Sequence, residues 1–198
     1  CWVALKLAAP LCDGGETVSV DPDFPTIALP PRDISKPLGK AASYVYIPGF
    51  NIDTEHNLYY ERHAAVRAYA RANQIDRIVL RSERDRVGIA TAGKSFTDVR
   101  QALRDLGYDD RALTKAGIRL LKIGLLCPIE PEIAREFARG LSDIIVVEEK
   151  RDFLERQIGR IACDLGAPVR IVGKLDEHGK PLFPIHGGMD FDFIAVAL

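Results

Sequence analysis

Cysteine is scarce in this chain and poorly placed for chemistry: Cys1, Cys12, Cys127 and Cys163 lie far apart, and no CxxC occurs. That spacing excludes a thiolate zinc site, a cysteine-held iron–sulfur cluster and a disulfide framework, and the four thiols are read as reduced. Cys127 stands beside Pro128, but no histidine offers itself as its base, so it is read as an inert thiol. An excess of one charge is lacking too, with 27 basic against 28 acidic residues, so no footprint of a nucleic-acid or anionic-membrane binder exists. No apolar run approaches the roughly 20 residues that cross a bilayer, and no charged segment with a small-residue cleavage site opens the chain. The expectation is a cytoplasmic protein with neither nucleic acid nor membrane as partner. A starting methionine is missing as well, and Cys1–Leu5 looks like the middle of an apolar element. The chain is therefore expected to be a piece of a longer polypeptide.

What is present is a globular balance, 47% hydrophobic and 28% charged, enough for one domain with an appendage. Its centre is 86–124. Val87, Ile89, Ala90 and Ala92 make a short apolar run suited to a strand covered on both faces. Gly93 breaks it. Ser95 with Asp98 forms a capping-box pattern, and Phe96, Val99, Leu103 and Leu106 recur at helical spacing until Gly107. Asp109, Asp110 and Gly117 bracket a further turn of helix, and Ile118, Leu120, Leu121 and Ile123 make the next strand.

The plan then repeats. Pro131 suits a first helical position, flanked by Glu130 and Glu132, with Ile133, Phe137 and Leu141 as its apolar stripe. Ile144–Val147 reads as a central parallel strand. Asp152 with Glu155 predicts a second capping box, opening a helix that stops at Gly166, and Val169, Ile171 and Val172 supply a fourth strand. The fold class predicted is α/β, an open, mostly parallel, doubly wound sheet in three layers. Pro181–Asp190 is a loop before a short apolar segment.

The first 85 residues differ. Six prolines between Pro10 and Pro37 forbid long helix and continuous ladders, so 1–50 is expected to be an extended arm. Gly14-Gly15 is read as a turn, Thr17–Val20 as a short strand and Thr26–Leu29 as a possible second, while Trp2, Val3, Leu5 and Leu7 are expected to pack against something else. Residues 51–85 are expected to hold a linking helix, capped by Asp53 or Thr54, and a short strand or loop. The mixed-charge run Arg81–Arg86 marks the boundary, with 86–198 as the main domain. Arg62, Arg67 and Arg71, with His56 and His63, are read as a solvated face.

Two groups of residues could carry chemistry. Gly88–Ser95 spells GxxxxGK[ST], the phosphate-binding loop of nucleotide hydrolases, but Arg84-Asp85-Arg86 precede its first glycine and the intervening letters read as the strand itself. What survives is the placement of Gly93, Lys94 and Ser95 at a helix N-terminus, which can accept a phosphate or carboxylate in any fold. Glu148, Glu149 and Lys150 end a strand at the edge where open sheets place ligands or partners. His186 is a further candidate there. No GxGxxG follows any strand, so neither Rossmann cofactor is supported.

A family resemblance runs nearly end to end. Cys1–Lys6, Val20-Asp21-Pro22-Asp23, Tyr69–Asn73, Gly88–Ser95 with Asp98–Leu103, Pro128–Glu132, Val146–Lys150 and His186–Asp190 resemble indolepyruvate ferredoxin oxidoreductase, a 2-oxoacid:ferredoxin oxidoreductase. The stretch is similar to the part of that enzyme akin to the transketolase C-terminal domain, with its preceding connector. The resemblance implies a parent enzyme that oxidatively decarboxylates an aryl pyruvate to its acyl-CoA. It implies thiamine diphosphate, Mg, iron–sulfur clusters, coenzyme A and ferredoxin for that parent, and an oligomeric assembly with thiamine-binding domains as partners. It carries no catalytic residue and no metal or cofactor of its own onto this chain. The expected role is structural, with CoA or nucleotide phosphate binding at Gly93, Lys94 and Ser95 as the alternative.

Overall fold

The computed structural model describes residues 4–5, 17, 20–21, 25–31, 50–166 and 168–198. Among the described residues the chain begins its regular structure with α1 (Phe50–His56), a π-helical stretch (Asn57–Arg62) and α2 (His63–Ala72). The helix is thus already formed at Phe50, and Asp53 and Thr54 lie inside it rather than capping it. Then follow β1 (Arg77–Leu80), β2 (Val87–Ala92), α3 (Lys94–Asp105), α4 (Asp110–Ala116) and β3 (Ile118–Ile123). The chain continues through α5 (Pro131–Ala138), β4 (Asp143–Val147), α6 (Phe153–Cys163), β5 (Arg170–Val172) and α7 (Phe191–Ala197).

The five strands form one sheet in the order β1-β3-β2-β4-β5, parallel except for β1, which runs antiparallel to β3 at the edge. The predicted mostly parallel α/β architecture is the observed one. Arg77–Leu80 extends the sheet by one strand from within the segment read as a linker.

Alternation along the strands sorts the core into two layers. Ala90, Leu121, Ile144 and Val146 face α5 and α6, whereas Ile89, Leu120 and Val147 face α3, α4 and α7. The crossover from β2 to β3 uses one face and that from β3 to β4 the other, while the direction along the sheet also reverses, so both have one hand. β2 is central, and its second position is glycine because Phe137 of α5 and the following Leu141 come close: a Cβ on Gly88 would stand 2.5 Å from Leu141 Cδ1 and 2.6 Å from Phe137 Cζ.

Helix ends match the glycine stops, with Gly107, Gly117 and Gly166 at positive φ and Asp109 capping α4 through Ala112 N–H. Neither capping box forms. α3 begins at Lys94 with Gly93 at the N-cap and no side-chain cap, so Ser95 lies inside its first turn. Asp152 does stand at the N-cap of α6 but receives no amide; it pairs with Arg156 instead.

The proline-rich arm is described only in part. Trp2, Val3, Leu7, the Gly14-Gly15 turn and the middle of Thr17–Val20 lie outside the described residues, and Leu5 is exposed. Thr26–Leu29 is not a strand. At Ala28 it meets the Asn73 side chain, whose amide accepts from Ala28 N–H at 2.8 Å and donates to Ala28 C=O at 2.8 Å, as a neighbouring strand would. Arg67 and Arg71, read as solvated, instead dock α2 on the domain, through Ile129 C=O at 3.2 Å and Glu130 at 2.5 Å.

Candidate functional site

Thr91 lies beside Val147 in the parallel register of β2 and β4. The segments that leave these strands, Gly93–Ser95 and Glu148–Lys150, therefore emerge side by side at the carboxyl edge. β2 leads into α3 on one face and β4 into α6 on the other. The two chains part there, which opens the crevice where open α/β sheets take ligands. Tertiary structure thus joins two groups of candidates that are some fifty positions apart in sequence.

The GxxxxGK[ST] match has strand geometry. Gly88–Ala92 belong to β2, laddered to β3 throughout and to β4 as far as Thr91, so their amides cannot wrap a phosphate. Gly93 turns the chain at φ 56, ψ −135, with nothing within 4 Å of where a Cβ would sit. Lys94 does not reach into the crevice freely, since its Nζ meets Asp98 Oδ2 at 2.5 Å one helical turn on. An incoming phosphate would compete with that carboxylate for the ammonium. Ser95 is buried.

At the end of β4 the two carboxylates go opposite ways, as alternation demands. Glu148 turns to the α6 face and accepts the N–H groups of Leu154 at 2.7 Å and Glu155 at 2.9 Å, so a side chain from the strand caps the helix that the local pattern assigned to Asp152. Glu155 in turn accepts the Lys174 amide at 2.9 Å. Glu149 turns the other way, toward Met189 N–H at 3.4 Å. Lys150 holds a left-handed φ of 65, and His186 is exposed on the tail loop.

Lys174 is the residue sequence reasoning passed over. It follows β5, is buried, and donates through Nζ to Glu148 C=O and to Pro184 C=O at 3.4 Å, tying the tail loop to the edge. Burial pushes its ammonium below the usual lysine range against the pull of Glu148 and Glu155. Burial likewise pushes the Glu148 carboxyl above its ordinary value, opposed by the Glu155 and Leu154 amides and by Lys174. No local pattern marks Lys174, because its partners come from β4 and the tail. Among the described residues, no group of three or more His, Cys, Asp or Glu is placed to hold a metal ion, and no helix is long and apolar enough to cross a membrane.

Comparison with known proteins agrees with the resemblance. The subunit IorA of indolepyruvate oxidoreductase from Methanothermobacter marburgensis is 28% identical over 116 residues, which cover 59% of this chain and 18% of that protein. The subunit from Pyrococcus abyssi is 33% identical over 99 residues, 50% of this chain and 13% of its own length. The chain thus spans less than a fifth of these relatives. Among solved structures, 2-oxoglutarate:ferredoxin oxidoreductase from Magnetococcus marinus aligns with a TM-score of 0.47 at 15% identity, over 77% of this chain and 23% of that one. A split-gene transketolase, described as an inactive β4 tetramer, aligns at 0.44 and 16%, over 62% and 40%. The model of the indolepyruvate oxidoreductase domain matches residues 77–198, from β1 through α7 to the last residue. By that match the chain belongs to the indolepyruvate oxidoreductase domain family.

Proposed function

We propose that this chain is a packing and assembly domain of a thiamine-diphosphate-dependent indolepyruvate:ferredoxin oxidoreductase, catalytically silent by itself. In this reading the whole enzyme is an oligomer of the cytoplasm that decarboxylates an aryl pyruvate oxidatively to its acyl-CoA. Thiamine diphosphate, Mg²⁺, iron–sulfur clusters, coenzyme A and ferredoxin are met by other parts of it. Residues 1–50 serve as an arm and 51–85 as a linking segment, whose strand Arg77–Leu80 joins the edge of the α/β sheet.

The observation that carries the reading is how the charged groups at the carboxyl edge are spent. Lys94 is held by Asp98, Glu148 by two helix amides, and Lys174 by two carbonyls. These residues do not fit a diphosphate with its metal, and no catalytic step is assigned to them. The domain also presents apolar side chains outward: Ile52 on α1, Tyr60 on the π-helical stretch, and Phe193 and Val196 on α7, the last 91% exposed. Such surface suits docking against further domains. The test is Tyr60→Glu with Val196→Glu in the intact enzyme. Assembly and indolepyruvate-dependent ferredoxin reduction should fall together while the domain stays folded; an unchanged assembly would refute the role.

A second reading keeps Gly93, Lys94 and Ser95 as a seat for the phosphates of coenzyme A or a nucleotide. Their place at the crevice, with open space beside Gly93, favours it. Calorimetric titration with coenzyme A, and separately with ATP and Mg²⁺, decides the matter. Saturable binding abolished by Lys94→Ala would establish this reading, and no heat is expected under the first.

A further inference from the structure

At the amino edge of the sheet, the end opposite the crevice, the layer between the strands and helices α3 and α4 is incompletely filled. Val87 and Ile118 lie side by side where β2 and β3 begin, and Ile89 lies beside Ile145 of β4. Central parallel strands are covered on both faces as a rule. On the α5 face Ala90, Leu121, Ile144 and Val146 are at 0% exposure, yet here Val87, Ile118 and Ile145 remain partly exposed. Three branched side chains of the sheet thus lack full cover at one place.

The gap is a cavity of about 220 Å³. Buried Leu103 of α3 and Leu113 of α4 line its depth, and Leu106 and Tyr108, 45% and 46% exposed, line its mouth. Ala116 and Leu198 complete the wall. Among the described residues, Tyr108 is the one lining residue with a polar side chain, and no lining residue is charged. An ionised group entering would find no partner there, and burying it unpaired is costly. Water fares little better, since apolar cavities stay dry, and one of about 150 Å³ lined by aliphatic and aromatic side chains binds benzene.

We propose that this cavity binds a small uncharged aromatic molecule of one or two fused rings. Its volume exceeds what benzene needs and falls short of a long acyl chain. The Tyr108 ring at the mouth offers an edge-to-face partner, the arrangement aromatic pairs prefer, and an aliphatic ligand gains no such contact. The cavity lies at the far end of the strands from Gly93–Ser95 and Glu148–Lys150, so a ring bound here leaves the crevice open. The inference rests on the cavity alone and is independent of the assembly role proposed above.

The probe is indole, titrated into the intact protein with its isoleucine and leucine methyls labelled for NMR, so that binding is read at the cavity itself. The methyl signals of Leu103, Leu113, Ile118 and Ile145 should shift saturably, while those of Ile133 and Ile158 on the α5 face stay in place. Ala116→Trp is the blocking variant: Ala116 is exposed, so the larger side chain closes the mouth without entering the core, and an unchanged melting temperature shows that it folds. The saturable shifts should be lost in it. A crystal structure of the intact protein soaked with 5-bromoindole should show the bromine, by its anomalous signal, inside the cavity. Shifts that are absent or equal in the variant, a side chain of the protein itself or of a second copy filling the cavity, or binding at crystal concentration only overturns the proposal.

Discussion

Arg119 Nε donates to Asp85 Oδ2 at 2.8 Å, with the two side chains 8% and 0% exposed. The guanidinium also donates to the carbonyls of Phe137 at 2.6 Å and Arg139 at 2.9 Å, while Asp85 takes the Ser82 amide and hydroxyl. One ion pair thus ties the β1–β2 turn to β3 and to the end of α5. Asp85→Ala should leave the arginine charged and unanswered in the interior and cost about 3–5 kcal/mol in urea unfolding. The double change Asp85→Leu with Arg119→Met should recover most of that loss, since no buried charge then remains.

Two buried carboxyls give stability opposite dependence on pH. Burial works to raise the Asp85 carboxyl, yet hydrogen bonds from Ser82 and Arg119 outweigh it and hold it below the usual range. Its contribution is present above the unfolded value of about 3.9 and is lost as pH falls through the folded one. Glu148 is raised, chiefly by burial. Its contribution is fullest below the unfolded value of about 4.3 and declines as pH climbs through the folded one. Urea midpoints across a pH series should therefore show the Glu148→Gln variant losing the downward component just above that value, and Asp85→Asn losing the acid-side one.

Gly88→Ala should destabilise by about 1–3 kcal/mol, because the added methyl collides with Phe137 and Leu141. Pairing it with Phe137→Leu should return part of the loss. If Gly88 served a phosphate loop instead, nucleotide binding would suffer and folding would not. Thermal unfolding with and without nucleotide distinguishes the two.

Asn73→Ala should release the arm at Ala28 while changing global stability by no more than about 1 kcal/mol, since both hydrogen bonds to Ala28 are exposed. Hydrogen exchange read at the Ala28 amide is the measurement. Protection there should vanish, and protection in β2 and β4 should stay.

Much of the architecture was legible because its signals are local. Apolar runs of strand length alternate with helical stripes, and Gly107, Gly117 and Gly166 stop the helices where only a residue tolerant of positive φ serves well. The capping boxes misled for a physical reason. A helix amide takes whichever acceptor arrives with the better geometry, and for α6 that acceptor is Glu148, six positions before Leu154 and just past the end of β4. β1 was hard to read because four residues, Arg77–Leu80, carry little period of their own. They become a strand only by pairing with β3, some forty positions later.

From residue types and spacing alone came the parallel α/β plan and the reading of Gly88–Ala92 as strand, since periodicity and punctuation are properties of neighbours along the chain; the family came from the resemblance of whole stretches such as Gly88–Ser95 and Val146–Lys150. Only the folded arrangement decided which charges are spent and which are spare. It sends Glu148 to an amide pair, Lys174 to two carbonyls and Arg119 to Asp85, and among the described residues leaves Asp76 Oδ2 without a donor. The reason is that a hydrogen bond or ion pair is settled by distance in space between groups far apart in sequence, and such distances exist only once the sheet has closed.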